Sequence, residues 1–272
     1  MSPEKLSKVT VRGVSQRIDA AEISAAIAPL RARWSLHADL APTTPGGLRG
    51  IEAKARRLGA ERSAMHQIAG SAVAQAASAL AELRDAAQGS DEQGAVFILI
   101  GAERSAAIAA VAAIELAASG RRVVVALCST RLRPEEADAA ALWDRLESIK
   151  HVERYRIPDA REAVHFRAGL ELVAVAIEAI GGATLPLRGP IAAGVDLVRR
   201  VRSFGVPCLA IGGPIGLDGE SGARRRGAPG ADLSVVFHRP LIGHRSAAAR
   251  RLTGEILVAP FGIPASADSA ST

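Results

Sequence analysis

Two short apolar runs do most to limit what this chain can fold into. Ala95-Val96-Phe97-Ile98-Leu99-Ile100 lies between Gly94 and Gly101, and Val123-Val124-Val125-Ala126-Leu127-Cys128 follows it. Each is too short for a stable helix and apolar throughout, as a strand buried on both faces must be. Between them, Ala106 to Ser119 reads as an alanine-rich helix ended by Gly120. Strand, helix and strand in that order make a parallel unit.

The alternation extends in both directions. Helices are predicted over Leu48–Leu58 and Arg62–Ala87, with Gly59 between them, and over Pro134–Lys150, with proline at the start. Leu170–Ile180 reads as strand or helix, with a strand favoured over Leu172–Ile177. Further strands are predicted over Val206–Ile211, Leu233–Phe237 and Ile256–Ala259, and a helix over Ile191–Ser203. The expected fold class is α/β: a three-layer αβα sandwich, Rossmann-like, with a mainly parallel sheet and helices on both faces. Residues 1–47 read as an N-terminal extension and linker, with a helix over Ala20–Trp34 and a Pro/Gly-rich breaker over Ala41–Gly47. Residues 48–264 form the domain, and 265–272 a tail expected to fray.

The net charge of +6 comes from thirty Arg, four Lys and 28 acidic residues. These charges are spread along the chain, and only Arg224-Arg225-Arg226 is a dense run. With 3% aromatic residues, no stacking platform interleaves the arginines, so a nucleic-acid partner is not expected. No apolar stretch reaches the ~18–20 residues of a membrane span, because Ala106–Ile114 is stopped by Glu115. The N-terminus lacks the apolar stretch of a secretory signal. Two cysteines, Cys128 and Cys208, are too few for a disulfide framework and sit in apolar strands as inert thiols. A reduced, cytoplasmic chain with no membrane partner is expected.

Ligands of parallel sheets bind at the C-terminal ends of strands, near a point where the strand order reverses. Three loops therefore matter. Gly101-Ala102-Glu103-Arg104-Ser105 enters a helix, where backbone N–H groups can hold an anion. It has one glycine, and Glu103 would repel a phosphate, so a plain strand-to-helix turn is favoured. Gly212 to Gly222 holds five glycines in eleven residues, with Asp218, Glu220 and Ser221. It reads equally as a close-approach ligand loop or as a flexible surface loop. His238 and His244, six apart, lack the spacing and the partners of a zinc site.

From Leu48 to Pro264 the order of segments resembles the YjeF amino-terminal domain family, the NAD(P)H-hydrate epimerase fold. Ala55-Arg56-Arg57-Leu58-Gly59-Ala60 and Met65-His66-Gln67-Ile68-Ala69-Gly70 resemble its opening helices. Val96–Val125 resembles its strand, phosphate loop, helix and next strand, and Pro186-Leu187-Arg188-Gly189-Pro190 the segment after its third strand. Leu209–Gly222, with Pro214, Gly216-Leu217-Asp218 and Ser221-Gly222, resembles its Asp-x-Pro-Ser-Gly-Leu-Asp loop. Ala231–Phe237 and Gly254–Pro264 resemble its last two strands.

By that resemblance, the site groups have changed. The family's Asn-Asn-Gly-Gly-Asp-Gly falls on Arg104-Ser105-Ala106-Ala107-Ile108-Ala109. Its catalytic aspartate falls on Gly212, its serine on Ile215 and its lysine on Leu241. A potassium-ligating aspartate falls on Glu178. The expected ligand-contacting residues are Gly101, Glu103, Arg104, Ser105, Gly213, Asp218 and Ser221, with Asp218 the fallback acid or base and Glu178 the potassium position. The reading favoured is a catalytically degenerate member, a ligand-binding or protein-interaction module, with an unidentified protein partner and a homodimer implied by the family. The alternative is an NAD(P)H-hydrate epimerase with an altered site, using Glu178, Asp218 or Glu220. Only then would an NAD(P)H-derived ligand and potassium be implied. No other cofactor is expected.

Overall fold

The structure, a computed structural model, describes residues 17–89, 93–182 and 187–268. Its strands are β1 (Ala95–Ile100), β2 (Val123–Leu127), β3 (Val152–Arg156), β4 (Val173–Ala179), β5 (Cys208–Ile211), β6 (Leu233–Phe237) and β7 (Glu255–Ala259). They form one sheet in the order β3-β2-β1-β4-β5-β6-β7, and every pairing is parallel. The chain builds outward from β1 to β3, then returns to the other side of β1 with β4. The strand order therefore reverses between β1 and β4, and the loops leaving these two strands diverge there.

The helices are α1 (Ala20–Arg33), α2 (Ser35–Ala38), α3 (Pro45–Arg57), α4 (Arg62–Gln88), α5 (Ser105–Ala118), α6 (Ala137–Arg145), α7 (Ala160–Val164), α8 (Pro190–Ser203), α9 (Ala247–Thr253) and α10 (Ala265–Asp268). Alternate residues of β1 go to opposite faces, as a strand's period of two requires. Val96, Ile98 and Ile100 join one apolar cluster with α1, α4, α5 and α6. Phe97 and Leu99 join the other with α7 and α8. The alanine richness of α5 follows from its place: it lies between the sheet and α4, and Ala106, Ala107, Ala109, Ala110, Ala112 and Ala113 are all buried. No helix of the described residues is long and apolar enough to cross a membrane.

Several expectations need correcting. Residues 18–34, read as part of an extension, are built into the main core: Ile18, Ile23, Ile27, Leu30 and Trp34 are buried there. α1 is started by a capping box between Asp19 and Glu22. The Ala41–Gly47 stretch is an ordered helix entry. Thr43 N–H donates to Pro240 O at 2.9 Å, and Ile242 N–H donates to Thr43 O at 3.0 Å. Thr44 then caps α3 and Pro45 takes its first turn. α6 starts at Ala137, not Pro134, and gives way to a 3₁₀ turn at Leu146. β3 has no apolar run to mark it, because Val-Glu-Arg-Tyr-Arg is a polar edge strand. At the expected fraying tail, α10 brings Asp268 to Arg239 Nε (2.8 and 3.0 Å) and to His238 Nε2 (2.9 Å). Residues 269–272 and Pro186 lie outside the described residues.

Candidate functional site

A cavity of about 730 Å³ opens where the loops after β1, β4, β5 and β6 meet, at the reversal of strand order. This is the size of a small-molecule pocket, typically ~300–1,000 Å³. Of the expected residues, Glu103, Arg104, Ser105, Gly212, Gly213, Asp218 and Leu241 line it. Gly101, Glu178 and Ser221 do not.

The β1 loop is built as a turn and offers little to an anion. Ala106 N–H donates to Glu103 O at 3.0 Å and Ala107 N–H to Arg104 O at 3.2 Å, so these amides at the helix start are already taken. Ser105 Oγ donates to Ala179 O at 2.9 Å, tying the turn to the end of β4. Arg104 is held by both oxygens of the buried Glu52 at 2.6 Å, so its charge is met within the protein. Gly101 is a packing residue, because a side chain there would run into Ile180 of the neighbouring strand end.

Behind the cavity, Glu178 is 2% exposed. Its two oxygens accept from Ile180 N–H at 3.0 Å and Ile215 N–H at 2.8 Å. Burial pushes its carboxyl up to about 7, against the pull of those two amides. Among the described residues, no three His, Cys, Asp or Glu side chains gather closely enough to hold a metal ion. No geometry here carries the expectation of potassium at Glu178, whose two oxygens already accept from backbone amides. Glu178 instead fastens the loop after β5 to the end of β4.

The glycine-rich loop is ordered by Asp218. Its Oδ1 accepts from Ser221 N–H at 2.8 Å and Glu220 N–H at 2.9 Å, and the Ser221 amide, then that of Glu220, holds the carboxyl below its ordinary range. Ser221 Oγ turns back to accept from Ala223 N–H at 3.1 Å. Gly212 has φ +77° and open space where a side chain would stand, a conformation that disfavours any residue with a Cβ. Ile215 and Leu241 are buried apolar residues. Cys128 and Cys208 are buried free thiols, pushed up by desolvation.

Sequence reasoning missed Arg49, Glu135, Glu136 and His244 as lining residues. Arg49 is delivered by the pairing of Thr43 with Leu241, which no local pattern encodes. His244 lacks the spacing and partners of a zinc ligand. It sits after β6 at a strand's C-terminal end, and that position was the usable signal. Its ring is 2% exposed and packs against Gly213, where a Cβ would stand 2.7 Å from Cε1. Nδ1 is buried without a hydrogen-bond partner. Desolvation lowers its pKa to about 4, so the ring is neutral at pH 7.

A group depressed from 6.5 to about 4 takes up protons in the unfolded chain first, so acidification below pH 6.5 favours unfolding. His244 alone should remove ~2 kcal/mol of stability between pH 7 and pH 5. Glu178, raised on folding, acts in the opposite direction over the same window. Urea titrations of the wild type and His244→Gln at both pH values isolate the histidine: the variant should lose less stability on acidification.

Residues 62–243 match the family described as YjeF-related protein N-terminus. Two curated relatives are each named bifunctional NAD(P)H-hydrate repair enzyme Nnr. The one from Methanothermobacter thermautotrophicus is 28% identical over 227 residues, covering 82% of this chain and 41% of its own length. The one from Pyrobaculum aerophilum is 37% identical over 82 residues, 30% of this chain and 16% of its own. The chain thus spans less than half the length of either relative. Among solved structures, the crystal structure of yeast ynu0, YNL200c, is similar with a TM-score of 0.63 at 20% identity, over 74% of this chain and 82% of that one. That likeness is one of fold. The family match runs from α4 to the loop after β6, over more than half of the chain, and on that ground this chain belongs to the YjeF-related amino-terminal domain family.

Proposed function

We propose that this chain is a catalytically degenerate member of its family that binds a ligand at the C-terminal mouth of the sheet without turning it over. One observation carries the reading. At the positions that the resemblance gives to the family's catalytic aspartate, serine and lysine stand Gly212, Ile215 and Leu241, and none of them can move a proton. Interconverting hydrate epimers needs a positioned acid or base. Asp218 is the carboxylate nearest to that role in the loop. It spends Oδ1 on two backbone amides and is held below its ordinary range, which makes it a weak base and no acid at neutral pH. The pyrophosphate of a dinucleotide would also meet a β1 loop with its first amides occupied and Arg104 already paired.

The second reading is an altered epimerase with Glu178, Asp218 or Glu220 as its acid or base; the relatives named bifunctional NAD(P)H-hydrate repair enzyme are in keeping with it. Incubation with the R and S hydrates of NADH, followed by chromatography, separates the two. We expect interconversion no faster than in buffer, consistent with the ~100- to 10,000-fold contribution of a positioned acid or base. Protein-dependent interconversion that disappears in Asp218→Asn, with the loop's amide acceptor retained, would establish the second reading.

A further inference from the structure

A second cavity, of about 520 Å³, lies on the face of the sheet that carries α7 and α8. Ala95 at the start of β1, Arg122 just before β2 and Val173 at the start of β4 line it. It shares no lining residue with the cavity described above. Its origin is a short crossover. The connection from β3 to β4 passes over β2 and β1, and covers them with the five residues of α7 and a 3₁₀ turn at Leu170–Leu172. A crossover helix of ordinary length would fill that space. Here Tyr155 and Leu172 are left 44% and 70% exposed, and Val124 is half-buried.

The walls are aromatic in a chain that has few aromatics. Of five Phe, two Trp and one Tyr, Phe97, Tyr155 and Phe166 line this one cavity. Phe166 stacks on the buried Phe97 with ring centroids 6.0 Å apart, and Tyr155 meets Phe166 edge-on at 5.4 Å. Such pairs favour defined ring positions. Tyr155 is also held by its hydroxyl, which donates to Glu153 Oε2 at 2.7 Å, while Glu153 Oε1 accepts from Arg122 Nε at 2.8 Å. The walls are set before a ligand arrives, so binding orders little of the protein. Aromatic and aliphatic walls with a few polar groups at the rim suit a flat apolar molecule with one polar end.

The rim decides the sign of that polar end. Arg122 and Glu153 meet each other's charge. Arg156, beside Tyr155 in β3, is exposed and lines the cavity. Its guanidinium donates from Nη1 to Thr130 O at 3.2 Å and has no ion-pair partner among the described residues. The rest of its N–H fork is free, in the geometry that meets a carboxylate with two parallel hydrogen bonds. His165, exposed on the same rim, offers a further N–H. Against these donors stands one carboxylate without an ion pair, Glu162 of α7. We infer that the cavity binds a planar aromatic carboxylate, its ring against Tyr155, Phe166 and Leu172 and its carboxylate on Arg156. Glu162 opposes such an ion, so the sign of the ligand has its own test. The site stands whether or not the hydrates of NADH are interconverted elsewhere on the protein.

Tyr155 is the only tyrosine of the chain, so the full chain labelled with fluorotyrosine gives a single fluorine resonance, and it reports from this cavity. Titration with 2-naphthoate near pH 7.5 is the test. The expected result is a saturable shift of that resonance, half complete below ~1 mM. The neutral 2-naphthylmethanol should bind at least ~10-fold more weakly, the scale of a charge-assisted contact, and the cationic 2-naphthylmethylamine more weakly still. Arg156→Gln, at an exposed position, should keep the melting temperature and lose the preference for the acid over the alcohol. Glu162→Gln should bind the acid at least as tightly as the wild type. Leu172→Asp, also at an exposed position, should weaken acid and alcohol alike. No saturable shift, an acid bound no better than the alcohol, an unchanged preference in Arg156→Gln, or acid binding weakened in Glu162→Gln would each overturn the inference. So would a dimer in sedimentation that Leu172→Asp dissociates, because a second copy would then close this face.

Discussion

Gly101→Ala should destabilise the protein by about 3 kcal/mol, at the upper end of the range for overpacking. The reason is local and steric. Gly101 ends β1 beside β4, and its N–H donates to Ala179 O at 3.0 Å. A Cβ on Gly101 would overlap the carbonyl oxygen of Ile180 and stand 2.7 Å from its carbonyl carbon. The obstacle is backbone, so no rotamer change relieves it, and β1 and β4 would have to separate where the strand order reverses. Gly101 does not line the cavity, so the substitution distinguishes two roles. A packing residue gives a large drop in melting temperature, on the order of 5 °C for a chain of this size. A ligand-contacting glycine would leave the melting temperature of the free protein unchanged and weaken binding alone. Chemical and thermal denaturation of the purified variant decide between them.

The second large effect lies at the opposite end of the strands. Asp85, near the end of α4, accepts from Arg121 Nη1 at 2.6 Å and from Gly94 N–H at 3.0 Å. Arg121 also donates to Gly94 O at 3.2 Å. The two side chains are 5% and 14% exposed for Arg121 and Asp85, so little solvent is available to replace a lost partner. Asp85→Ala leaves a buried guanidinium without its carboxylate and removes the acceptor of the Gly94 amide. Breaking a buried pair from one side typically costs ~3–5 kcal/mol. Asp85→Asn keeps an acceptor and should lose less, and the pair Asp85→Ala/Arg121→Met should recover part of the loss, because the stranded charge is gone. Urea unfolding of these variants measures each value.

The elements read correctly from sequence were those whose signal is local. β1 and β2 are apolar runs between glycines, and α5 is bounded by its own composition. The reversal of strand order between β1 and β4 was not legible, because nothing in the local pattern says on which side of β1 the later strands pair. β3 was lost because an edge strand can be polar. The role of residues 18–34 was lost because Pro and Gly at 42–47 looked like a break, when they serve as the entry to α3. At the site, the loops after β1 and β5 were found from their position after strands. What each side chain does there depended on partners distant in sequence: Glu52 for Arg104, Ala179 for Ser105, and the amides of Ile180 and Ile215 for Glu178.

The family resemblance and the geometry meet at Gly212. The backbone there stands at φ +77°, a conformation that residues with a Cβ rarely adopt. Restoring the side chain would strain the loop as well as change its chemistry. The proposed account rests on glycine, isoleucine and leucine standing where the resemblance puts the family's proton-handling groups.

Crystals grown with NADPH hydrate examine that account most directly. The account expects no nicotinamide ring seated over Gly212 with an acid or base against its reacting carbon. A nicotinamide ring seated over Gly212, with the Asp218 carboxylate within hydrogen-bonding reach of its hydroxyl-bearing carbon, would contradict it.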